Sequence, residues 1–480
     1  MRGRTLMTKR WHKLAALPIA FALVAAACGG DDDGVADAPD EPDTTEAPDT
    51  DEPDAPDTED FGGVEIVITG SERDDPSVGA INAVLQEFGS ERGIDVTFIG
   101  DADWEANINT QVEGGNPPDI SIFPQPGKLA EFARDGFILP LSDDVVSSIQ
   151  DHWAESYQLD GIVDDVHFGV PVKTDLKSLV WYKPSIFEGA GYAVPETYDE
   201  LEALTQQMVD DGGPAPWCVG VESGQATGWT YTDWVEEMVL RLHGGDVYDG
   251  WVSNEIPFDD PRIIEAMQAP ITLWTGESDE EAARQALADR DLPRVFAASG
   301  TIAQTNFADS ADPLMDGQCY MHRQASFFSG FFPEGTPFAD GSDDAINVFY
   351  FPDINDDAPA LTAGTLAAAF NDEPATMAVL EFMATGEYAE KRQAEQTRLL
   401  DGGLSGFLSA ASGQDPSVYQ PLEQEFLDIL LNAELARFDA SDLMPAAVGA
   451  GSFWSEGTNI INGDITVSEG AARIQESWPN

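Results

Sequence analysis

Cysteine, histidine and basic residues are all scarce in this chain. Its 480 residues include three Cys, five His and 23 Lys and Arg, against 88 Asp and Glu. Scattered His and so few Cys do not make a zinc site, which needs four ligands at close spacing, and no metal or cofactor is expected. The shortage of bases leaves a formal net charge of −65. That charge repels nucleic acid and anionic membrane surfaces, so neither is expected as a direct partner. Enzyme signatures are missing as well: there is no Gly-x-x-x-x-Gly-Lys loop, no His-Glu-x-x-His and no Gly-x-Ser-x-Gly elbow. The acidic run Asp353-Ile354-Asn355-Asp356-Asp357 lacks the glycine and distal Glu of a calcium loop. Beyond residue 27, no stretch is long and apolar enough to span a bilayer.

What is present begins with an address. Arg2, Arg4, Lys9, Arg10 and Lys13 precede the short apolar run Leu14 to Ala27, the pattern of an export signal over residues 1–27. The run ends Leu23-Val24-Ala25-Ala26-Ala27-Cys28-Gly29, which resembles a bacterial lipobox. Cys28 is therefore expected to carry lipid and to anchor the chain to the outer face of the cell membrane without spanning it. Residues 28–60 read as a disordered tether. From Asp31 to Asp60 they are rich in Asp, Glu, Pro and Ala, with no base and no aromatic, so they bury too little apolar surface to offset the entropy of ordering. The two remaining cysteines, Cys218 and Cys319, are expected to pair in an exported chain.

From Val64 onward the pattern is α/β. Val64–Thr69 and Ile94–Ile99 read as strands, and Ser77–Ser90 and Trp104–Gly114 as helices. Pro117 to Gly127 reads as a strand running into a rigid Pro/Gly loop. Further helices are expected over Thr197–Asp211, Thr232–His243, Pro261–Thr275, Glu280–Ala298, Pro374–Thr385 and Leu422–Ala433. Such alternation implies parallel strands with ligands gathered beyond their carboxyl ends, here Ser71–Asp74, Gly100-Asp101 and Phe123–Gln125. The segment Gly169 to Tyr182 is apolar at both ends and polar at Lys173, Thr174, Asp175 and Lys177. A strand crossing between two lobes, with its centre exposed in the cleft, has that character. Aromatic residues beside small polar ones recur at Phe123-Pro124-Gln125, Gly228-Trp229, His322 to Phe327 and Ser452-Phe453-Trp454. Flat rings with hydrogen-bonding groups suit sugars, which present C–H faces and hydroxyls.

These motifs resemble a known family. Pro117 to Gly127, Leu176 to Tyr182, Thr227-Gly228-Trp229 with Thr232-Asp233-Trp234, Cys319 to Phe327 and Ser441 to Trp454 are similar to the extracellular solute-binding proteins of ATP-driven sugar importers. The likeness is to the maltose-binding type, and within it to the α-glucoside-binding lipoproteins. It implies a two-lobe α/β fold with strand crossovers forming a hinge: residues 61–172 with 363–403 as lobe one, 173–362 with 404–480 as lobe two. It implies ligand contacts from Ser71, Glu72, Phe123, Asp175, Glu222, Trp229 and Trp454; Gln125, Lys177, Arg323 and Gln324, from the polar and aromatic–polar stretches above, complete the expected ligand-binding set. Pro126-Gly127 replaces the acid–base pair that follows the aromatic wall in the maltose binder, and Arg323 and Gln324 stand near Ala325, where a stacking tryptophan is expected. Both departures point to a small α-glucoside rather than a long maltodextrin. The resulting expectation is a monomeric, non-catalytic binder that hands a carbohydrate to the membrane subunits of an ABC permease. Alternatives are an anchored glycoside hydrolase using an Asp/Glu pair, and a binder of a polyol or another solute.

Overall fold

The alternation read from Val64 onward gives the first of the two large sheets among the described residues. The computed structural model describes residues 59–355 and 358–479; the export signal, Cys28 and the tether through residue 58 lie outside the described residues. Val64–Gly70 pairs in parallel with Ile94–Gly100 on one side and Ile120–Phe123 on the other. Ile66 and Ile68 and their register partners Val96 and Phe98 are all buried. The second sheet runs in the order Asn347–Tyr350, Leu179–Tyr182, Cys319–Arg323, Ala215–Cys218, Val295–Phe296. Cys218 and Cys319 lie on neighbouring strands of that sheet and are joined by a disulfide, their Cα atoms 5.5 Å apart.

Two antiparallel strands connect the cores. Val170–Leu176 packs Val170 and Val172 among the side chains around Ile66 and Ile68, but Leu176 among those around Trp181 and Phe328. Its partner Ala360–Ala369 does the same in reverse: Leu361 lies in the core with Val180 and Trp234, and Ala367 and Ala369 in the core with Ile68. The early residues of this second strand pair with Ala436–Phe438 and the late ones with Ile120–Phe123. A register shift at Thr365/Leu366 marks the point between, a local bend of the kind bulges impose. A third passage follows, where Leu404 and Leu408 belong to one core and Phe407 to the other.

Three elements differ from their sequence reading. Pro126–Arg134 is a helix rather than a rigid loop, because proline at the first helical position forfeits no hydrogen bond. The helix expected over Thr232–His243 starts at Trp229, after Gly228 at φ 111°, and continues past a break at Gly244 to Val252. The helix beginning at Glu280 stops at Asp289, where Arg290 turns left-handed at φ 59°. No helix among the described residues is long and apolar enough to cross a membrane.

Candidate functional site

Where the crossing strands meet, a cleft encloses about 1140 Å³ of space, the solvent at its mouth included. Lys173, Asp175 and Lys177 line it together with Ala363–Thr365 of the partner strand. One wall is polar: Ser71–Asp74 directly follow the first strand, Gln125 follows the third, and Glu105 projects from the helix Trp104–Glu113. That placement is the carboxyl-end position expected of a parallel sheet. The other wall is aromatic. Trp229 meets Phe307 edge to face at 5.1 Å between ring centroids, Phe307 meets Phe331 at 5.3 Å, and Phe327 and Trp454 complete the surface.

Ion pairs hold several of the cleft's charged groups. Glu72 accepts from Arg392 at 2.6 Å and lies 3.5 Å from Lys173, whose ammonium is 3.3 Å from Asp175. Burial alone would raise the Glu72 carboxyl, but Arg392 and Lys173 hold it below its ordinary range. Asp175 is raised, burial outweighing the nearby Lys173. Lys177 donates to Asp233 at 2.8 Å and also to Asp439, and its Nζ sits 5.4 Å from the Trp229 ring centroid. Carboxylate oxygens of Asp233, Glu236 and Asp439 lie within 4.8 Å of one another, all three residues buried. The Lys177 ammonium already supplies a positive charge to two of them. Burial pushes Asp233 up to about 7 and Glu236 well above the usual carboxylate range.

Seven residues picked from the sequence line this cleft: Ser71, Glu72, Gln125, Asp175, Lys177, Trp229 and Trp454. Four do not. Phe123 is fully buried, 5.2 Å edge to face with Trp104, because its whole strand is covered on both sides. Glu222 turns aside to accept from Asn306 at 2.6 Å and from the Gly224 amide at 2.8 Å. Arg323 points away to Glu237 at 2.7 Å, an acid that Arg241 also holds at 2.7 Å. Gln324 is buried, its side chain accepting from the Ala325 amide. Phe307, Phe331, Glu105, Asp439, Asp442 and Gln396 line the cleft without having been picked. Phe327 stood within a quoted aromatic–polar run, which was the available signal; Gln396 gave none.

The departure at Pro126-Gly127 has a structural counterpart. Gly127 approaches the Met444 carbonyl so closely that a Cβ there would collide with it. Nearby, the Ala446 amide donates to Glu131 of the same helix at 2.9 Å. Helix Pro126–Arg134 thereby closes against the segment leading to Trp454.

The model of the bacterial extracellular solute-binding protein family matches residues 74–389. The chain is 35% identical over 436 residues to the alpha-glucosides-binding periplasmic protein AglE of Rhizobium meliloti, covering 87% of this chain and 88% of that one. The chain belongs to the extracellular solute-binding protein family. A second member, the osmoprotective compounds-binding protein GgtB of Synechocystis, is 34% identical over 409 residues, 83% of this chain and 89% of its own. The solved structure of the bacterial solute receptor AcbH shares the fold at a TM-score of 0.67 with 18% identity, over 87% of this chain and 97% of that one. The family's fold is α/β with two lobes of the maltose-binding type, and the two strands that join the cores here are its crossovers.

Proposed function

We propose that this chain is a lipid-anchored, extracytoplasmic solute-binding protein that captures a small α-glucoside in the cleft and delivers it to an ABC permease without chemical turnover. The anchor is the lipid on Cys28, and the protein acts as a monomer. The lobes are residues 61–172 with 363–403, and 173–362 with 404–480. The observation that carries this reading is the division of the cleft into an aromatic wall and a polar one. Rings cover the C–H faces of a sugar while carboxylates and amides take its hydroxyls. Ser71, Glu72, Gln125, Asp175, Lys177, Trp229 and Trp454 are the contacts assigned from the earlier set. The similarity to AglE supports the α-glucoside. The similarity to GgtB supports a second reading, a compatible solute bound in the same cleft.

Tryptophan fluorescence titration against trehalose, sucrose, maltose, glucose and glycerol-type polyols tests the reading. A saturable change with one α-glucoside, at a Kd well below about 1 mM, is expected. Saturation by the polyols alone would move the assignment to the compatible solute, and a flat response to every ligand would overturn both.

A further inference from the structure

Gln396 projects from the helix Gly386–Leu399 and lines the cleft, although only 3% of it is exposed. Its Nε2 donates to the Ser405 carbonyl at 2.6 Å and to Ser77 Oγ at 2.9 Å. A backbone carbonyl can only accept, so the amide has one orientation: nitrogen toward Ser405, oxygen away from it. Ser405 is itself pinned. Glu423 accepts from its amide at 2.7 Å and from its hydroxyl at 2.6 Å, and also accepts from the Gly406 amide at 3.2 Å. Gln396 Oε1 is left buried with no partner.

Other atoms around the cleft share this condition. Glu72 Oε2, Gln125 Oε1 and Thr365 Oγ1 are buried, unpartnered and part of residues lining the same cleft. The two carboxamide oxygens and the ionised Glu72 oxygen only accept. The cations lining the cleft are Lys173, Lys177 and Arg73: carboxylates already engage both lysines, and the Arg73 guanidinium stands 5.7 Å from the Phe307 ring centroid, while none of the three donates to these acceptors. A buried acceptor without a donor is destabilising, so native structures rarely gather several unless something supplies the protons.

Building on the proposed function, we infer that Gln396 is a specificity-determining residue whose fixed carbonyl oxygen takes a hydroxyl hydrogen of the ligand, and that the ligand meets this side of the cleft as a donor. Ring stacking tolerates many sugars. An oriented acceptor rejects a ligand lacking the hydroxyl it reads, because the protein group then stays unpaired.

The test measures Kd for the protein and its Gln396→Met variant with the bound glucoside, its monodeoxy analogues and its monodeoxyfluoro analogues. Fluorine keeps the size of a hydroxyl and some acceptor character but brings no hydrogen to donate. At one ring position both replacements are expected to weaken binding to the unaltered protein about tenfold. In Gln396→Met both losses should shrink to within about twofold, while losses at other positions stay as they were. Equal losses in the two proteins would overturn the assignment. So would deoxyfluoro analogues that bind like the parent at every position, a result read on the unaltered protein even if the variant fails to fold. If the parent glucoside binds and these patterns fail, Gln396 alone is dismissed. If no glucoside binds, the assignment falls together with the reading beneath it.

Discussion

The two walls of the cleft are built on different physical terms. The polar wall is held from behind: Glu72 is tied to the fully buried Arg392 and to Lys173, and the Gln396 amide is anchored by Ser77 and Ser405. The aromatic wall is held mainly by packing among rings, with lysine ammoniums over Trp229 and Phe327 and one long hydrogen bond from Trp454 to Ser441, and Trp229 remains partly exposed to the cleft. Directional groups need a scaffold to aim them, and their energy depends on leaving nothing unpaired. Rings contribute area, which tolerates small displacements. The polar wall is therefore integral to the fold, whereas the exposed face of the aromatic wall is free for a ligand.

The largest expected effect comes from the polar wall. Glu72→Gln leaves the Arg392 guanidinium buried without its carboxylate, and the loss of stability should be about 3–5 kcal/mol, read by denaturant unfolding. Stability within about 1 kcal/mol of the unaltered protein would show that this wall is not held as described. Next in size, pH separates the two sides. His322 packs 4.5 Å from the Phe328 ring, behind the aromatic wall. Burial holds its pKa down to about 4, below its unfolded value, so its contribution is complete above pH 6.5 and lost as pH falls toward 4. That loss is about 3 kcal/mol and should be absent in His322→Gln. Glu72 is also depressed, from an ordinary 4.5, so its contribution is present above that pH and fades only below it. Asp233, raised to about 7 by burial, works in the opposite direction over the same range, so the comparison is with the variant: the same pH dependence in His322→Gln as in the unaltered protein would remove His322. Smallest is the effect of Trp229→Ala on the fold. Ligand affinity should drop about ten- to hundredfold in fluorescence or calorimetric titration, while the unfolding midpoint moves little. A large loss of stability in this variant would erase the distinction between the walls.

Much of the frame was legible in the sequence because it is written in local patterns. Period-two and helical spacings gave the first strands and helices, and the apolar–polar–apolar run around Lys173 gave a crossing strand. Its polar centre lies at the cleft, with Asp175 and Lys177 both lining it, but it is buried there rather than exposed. Side-chain direction was less accessible. Ile120–Phe123 is buried on both faces, so no alternation betrays which way Phe123 points, and the ring goes into the core. Arg323 ends a strand beside the cleft, yet Glu237, 86 residues earlier, draws it away. Phe307 and Phe331 sit in short 3-10 segments with no periodicity to separate a packed ring from an available one.

The sequence by itself determined the alternation of elements, the acidity and the segment that crosses between cores, because each follows from residues close together in the chain. Tertiary structure decided which polar groups are spent and which are free. Gln396 is free at its oxygen because Ser77, 319 residues away, and Ser405 occupy its nitrogen. Hydrogen-bond satisfaction is settled by whichever groups folding brings within about 3 Å, and a site made of leftover acceptors exists only once all the other pairs have formed.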